Sequence, residues 1–62
     1  MANSKWKNIE ATPPPKNTAV NTCIIDKDGQ RNESKLKLIN NLWFIPDGSM
    51  YVYYTPTHWH SL

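Results

Sequence analysis

The chain has 62 residues, 39% hydrophobic and 19% charged, and its 7 Lys and Arg against 5 Asp and Glu leave a net charge of +2. That length fits one small domain, which buries only about 60% of its unfolded surface on folding, and leaves no room for a separate cofactor-binding domain. The composition is globular rather than disordered, the charge is too weak to imply nucleic acid by itself, and no apolar run approaches the ~20 residues of a membrane span.

Residues 1–18 read as a polar arm. Its opening, MANSKWKNIE, has no apolar stretch of the secretory kind. With Cys23 as the only cysteine, this points to a reduced, cytoplasmic setting. Pro13-Pro14-Pro15 favours polyproline II. The arm is expected to act as a stiff strap that lays Trp6 and the prolines on the aromatic hairpin further along.

Residues 19–39 read as a first hairpin. The run AVNTCIID is rich in strand formers, and Asp28-Gly29 supplies a turn. A two-residue Asp28-Gly29 loop mixes charge into the apolar face, so a three-residue loop Lys27-Asp28-Gly29 is preferred. It sets Val20 opposite Leu36 and Ile24 opposite Asn32. One face then carries Val20, Thr22, Ile24, Leu36 and Leu38. The other carries Cys23 and Ile25 with Arg31, Glu33, Lys35 and Lys37.

Residues 42–55 read as a second, aromatic hairpin about an Asp47-Gly48 loop. Phe44 pairs with Tyr51 and Trp43 with Val52. Both faces are apolar. The set Trp43, Ile45, Met50, Val52 and Tyr54 continues the first hairpin's apolar face and is assigned to the core. The set Leu42, Phe44, Tyr51 and Tyr53 then needs a cover, from Trp6 and the prolines or from another chain. Residues 56–62 form a short tail. The expectation is one small all-β domain spanning 1–62: an antiparallel sheet of about four strands, possibly closing into a partly open barrel. A fifth strand is expected from residues 5–10 or 56–60, and helix is limited to a single turn.

Trp6-Lys7-Asn8-Ile9, the following prolines, Leu42-Trp43-Phe44 and the close Pro56-Thr57-His58-Trp59 together resemble a family of short, uncharacterised phage and prophage proteins. Those open on W-x-x-[IV] and a proline and close on T-H-W-M-P-L-P. Here His60-Ser61-Leu62 replaces the final M-P-L-P, and Lys16-Asn17 stands where an acidic-Gly pair follows the prolines. The resemblance implies a small β-rich accessory protein in a bacterial host's cytoplasm, and no particular chemistry.

No catalytic constellation is visible. Asp28 and Asp47 belong to turns, Glu33 lies among cations, and both glycines are used in turns. His58 and His60 fall short of the three or four ligands a zinc site needs. No enzyme activity, metal or cofactor is therefore expected. A 62-residue chain with no disulfide is instead expected to associate with itself or a partner. Phe44, Tyr51, Tyr53 and Trp59 are the candidate protein-binding residues, with a host or defence protein as the implied target, inhibited sterically. The alternatives are a nucleic-acid-binding module using the Arg31, Lys35 and Lys37 stripe beside exposed aromatics, and an oligomeric sponge for a small ligand.

Overall fold

The chain, described over residues 5–62 in a computed structural model, is all-β. Its strands are β1 (Lys7–Asn8), β2 (Val20–Asp26), β3 (Gly29–Ile39), β4 (Leu42–Phe44) and β5 (His58–His60). They form one five-stranded antiparallel sheet in the order β1-β5-β2-β3-β4, and the sheet is not closed into a barrel. The count exceeds four because the arm and the tail both supply a strand and pair with each other, Lys7 facing Trp59 and Asn8 facing His58.

The β2–β3 hairpin follows the apolar alternation at its base, where Val20 faces Leu36 and Thr22 faces Ser34. Towards the tip it departs from the expected register. Ile24 faces Arg31 rather than Asn32, and the loop shortens to Lys27 and Asp28 between paired Asp26 and Gly29. The extra residue is taken up on β3 around Asn32, whose φ is 57°. This is a bulge with its first residue in the left-handed region, which Asn tolerates better than most side chains. A single unbroken register cannot serve both the apolar base and a tight turn, and the bulge reconciles them. It also moves Arg31 to the face of Thr22 and Ile24, away from Lys35 and Lys37, so the expected three-residue stripe is split.

Between β3 and β4 lies a further tight turn. Ile39 faces Leu42, and the intervening Asn40 and Asn41 have φ of 50° and 70°. Two successive left-handed residues make a type I′ hairpin loop, whose twist matches that of the strands it joins.

β4 ends where continuing it would set Pro46, which has no N–H, against Lys35. The chain turns instead, with Gly48 N donating to Ile45 O at 2.9 Å. Proline at the second turn position and glycine at the fourth suit this geometry. Ile45 N then donates to Met50 O at 3.0 Å and Val52 N to Trp43 O at 2.8 Å, around a Phe44–Tyr51 bridge. The register is the expected one, but the returning arm is a single bridge and not a strand. It bends at Tyr53 and Tyr54 towards the buried Pro56.

Gly29 and Gly48 both have positive φ, 109° and 80°. A Cβ on Gly48 would meet only the flexible end of Lys37, at 3.7 Å. Space is therefore not limiting there; the backbone conformation is. Gly48→Val is expected to cost about 1–3 kcal/mol. An unchanged melting temperature would argue against this turn.

The core consists of Val20, Leu36, Trp43 and Trp59, with Ile9, Leu38, Ile45, Val52 and Tyr54 packed against it. The core assignment of Trp43, Ile45, Val52 and Tyr54 agrees with their alternation. Met50 does not follow it: beside the turn it is 62% exposed. The fully buried Thr22 satisfies its hydroxyl by donating to Ser34 O at 2.8 Å.

Candidate protein-binding surface

Three of the exposed large apolar side chains, Met50, Tyr51 and Tyr53, follow the Ile45–Gly48 turn, while Leu42 stands at the start of β4 and Leu62 in the tail. Tyr53 is 99% exposed, Met50 62%, Tyr51 59% and Leu42 44%. Strand alternation explains why. With Trp43 and Val52 turned to the core, Leu42, Phe44, Tyr51 and Tyr53 must turn outward. Phe44 and Tyr51 meet edge to face at 5.8 Å between ring centroids, and Tyr53 lies 6.1 Å from Tyr54. Lys37 pairs with Phe44, and Phe44 with Tyr51, so a cation and two aromatic rings succeed one another across one face. Lys35 projects from that same face.

A groove of about 400 Å³ runs between Asn32 and Ser34 on one wall and Met50, Tyr51, Tyr53 and Tyr54 on the other. The bulge at Asn32 forms part of that wall. A second depression, of about 380 Å³, lies between Asn8–Glu10 and Thr55–Thr57.

Trp6 does not cover the aromatic hairpin as expected. It packs edge to face on His60, at 4.4 Å between ring centroids, because β1 lies beside β5, at the opposite end of the sheet from β4. Trp59, expected on the binding surface, is only 5% exposed and belongs to the core. Its indole Nε1 donates to Thr12 O at 2.7 Å, and Lys7 Nζ stands 4.9 Å from the ring centroid. The proline arm is thus strapped over Trp59, with Pro14 buried.

The neighbouring tail residues have structural work too. Thr57 N donates to Cys23 O at 3.0 Å, and Ile25 N donates to Thr57 Oγ1 at 2.9 Å, carrying the ladder beyond the end of β5. The Thr57 hydroxyl, accepting from Ile25, also lies 2.7 Å from His58 Nδ1 and 3.5 Å from Cys23 O, so it joins the tail to both neighbours. His60 Nδ1 lies 2.7 Å from Ser61 O, which fixes it as a donor. Thr57-His58-Trp59 is therefore a clasp that ties the arm to the sheet, β5 pairing with β1 on one side and β2 on the other. Nothing in composition or spacing distinguished a clasp from a surface motif; only the pairing of arm with tail does.

Electrostatics around the surface are mild. Arg31 is engaged by Asp26 at 2.8 Å, a half-exposed pair of the kind that adds little stability. The Asp28 N–H and the Arg31 guanidinium hold the Asp26 carboxyl below its ordinary pKa. The Ser49 N–H and hydroxyl, with Lys37 adding to them, do the same for Asp47. Burial, and then the charge of Glu33, push the Cys23 thiol up, away from the reactive thiolate. Among the described residues no group of three or more His, Cys, Asp or Glu could hold a metal ion, and no helix is long and apolar enough to cross a membrane. No protein-family model, curated protein or solved structure matches the chain.

Proposed function

We propose that this chain is a small non-enzymatic binding protein. It docks its Phe44, Tyr51 and Tyr53 surface, with Met50 and Leu42 at the margin, onto a larger protein and acts by occluding it. The observation that carries this reading is the near-complete exposure of Tyr53 beside half-exposed Tyr51 and Met50. Tyr combines a large apolar body with a polar tip, and it is enriched where binding energy concentrates. The resemblance to short phage proteins supports a host or defence protein as the target, within a bacterial cytoplasm.

The test is a pull-down from bacterial host lysate, read by mass spectrometry, with wild type beside Tyr53→Ala. A retained protein should be weakened by more than ~1 kcal/mol in the variant, roughly fivefold, while the circular dichroism melt is unchanged. Equal retention by both would remove Tyr53 from the interface. A second reading, single-stranded nucleic acid, is favoured by the placement of Lys35 and Lys37 on the face of Phe44 and Tyr51. Recovery of only nuclease-sensitive material, released steeply by salt, would select it.

A further inference from the structure

The long strand β3 has two neighbours of unequal length. β2 pairs with it from Gly29 to Leu36, whereas β4 pairs only with Lys37, Leu38 and Ile39. In an antiparallel ladder a residue directs its N–H and C=O at one neighbour, and the next residue directs them at the other. Thr57 N bonds Cys23 O, so Cys23 faces β5, and Thr22 faces β3 and its partner Ser34. Glu33 and Lys35, on either side of Ser34, then direct their backbones outward, to the side that β4 leaves uncovered. No backbone partner meets them there among the described residues. This open stretch has fixed ends. The bulge at Asn32 breaks the ladder at one end, and the Ile45–Gly48 turn stands at the other, where β4 gives out. The groove of about 400 Å³ lies alongside, with Ser34 on one wall and Ile45, Val52 and Tyr54 among the residues of the other.

We propose that this gap is a docking site for one short extended segment of another protein, added to the sheet in line with β4 and antiparallel to β3. Unpaired N–H and C=O groups at strand spacing are met best by another strand. Three residues fill the gap: the first opposite Lys35, the second opposite Ser34 and the third opposite Glu33. The first and third exchange backbone hydrogen bonds with β3. Their side chains stand on the outer face, where Lys35 favours an acid and Glu33 a base. The second side chain turns to the inner face. Ser34 is small and exposed there, and no charged residue lines the groove, so a bulky apolar side chain fits. The recognised pattern is acid, apolar, base, from the amino end. A second copy of β3 cannot serve, because its own β4 and Ile45 cover the same edge beyond Lys35. A target lying flat on Tyr51 and Tyr53 needs no open strand, so this site goes beyond the occlusion reading and either can fail alone.

The probe is the capped peptide acetyl-TEFKT-amide, titrated into the isotope-labelled full chain and followed by amide NMR shifts. At about 5 mM peptide, enough to populate a complex of millimolar strength, the Glu33 and Lys35 amides should shift and those of Lys7 and Asn8 should not. The peptides TKFKT and TEFET each set a like-charge pair against β3 whichever way they run, and should bind about fivefold more weakly. Lys35→Glu should reverse the order of TEFKT and TKFKT. N-methylation of the peptide's glutamate, whose N–H faces β3, should abolish binding, while N-methylation of its phenylalanine, whose N–H faces away, should be tolerated. Unmoved Glu33 and Lys35 amides at about 5 mM peptide would overturn the proposal. So would equal binding of the three peptides by wild type, or equal effects of the two methylations, which would mark a phenylalanine adhering to the exposed tyrosines instead of a strand joining the sheet.

Discussion

Trp43→Ala is expected to unfold the domain. Trp43 is 5% exposed at the junction of β4 with the Val20, Leu36 and Trp59 cluster, and its carbonyl anchors the returning arm through Val52 N at 2.8 Å. Truncating a core tryptophan costs about 3–5 kcal/mol, part in lost burial and part in the cavity left behind. A core in this size range supplies little more than ~3–5 kcal/mol in total. The substitution therefore removes most of the stability. A circular dichroism melt should show no cooperative transition at 25 °C and above. A folded Trp43→Ala protein that loses a partner instead would mean that the two faces of the aromatic hairpin are reversed. Tyr53→Ala, on the opposite face, provides the contrast, since it removes no buried area.

Trp59→Ala should be nearly as damaging, for a different combination of reasons. The ring fills the core between arm and sheet, its Nε1 holds Thr12 O at 2.7 Å, and Lys7 Nζ rests 4.9 Å from its centroid. Losing the ring releases the proline arm along with part of the core, for a cost again of about 3–5 kcal/mol. Trp59→Phe separates these contributions. It keeps most of the apolar volume but forfeits the hydrogen bond, and the loss should fall to roughly 1–2 kcal/mol. Urea unfolding of the three proteins should rank wild type, then Phe, then Ala. If Ala matched wild type, the arm would not depend on Trp59.

The parts of the fold legible in the sequence are those fixed by period-2 alternation and turn chemistry. Val20 facing Leu36, the Phe44–Tyr51 pairing and the positive φ of Gly29 and Gly48 all follow from local rules. The outward turn of Tyr51 and Tyr53 followed from assigning Trp43 inward. What local rules could not reach was long-range. Trp59 looked like a surface aromatic because nothing within the tail shows that Lys7–Asn8 will come to lie beside it. The Asn32 bulge was hidden because it resolves a conflict between two ends of one hairpin, each satisfied by its own register. Asn40-Asn41 carried a usable signal: asparagine is the commonest non-glycine residue in left-handed turns, and two in succession between strand-like runs mark a hairpin.

The clasp of β1 on β5 also bears on the order in which the sheet assembles. The hairpins β2–β3 and β3–β4 close over loops of two residues, whereas pairing Lys7 with Trp59 brings together opposite ends of the described chain. Closing a long loop costs more entropy and is repaid only once the ends have docked. The central meander is then the early-forming unit and the clasp the last to form. The same asymmetry makes the clasp the first to open in native fluctuations, so its amides should exchange with solvent deuterium ahead of those of the β2–β3 ladder.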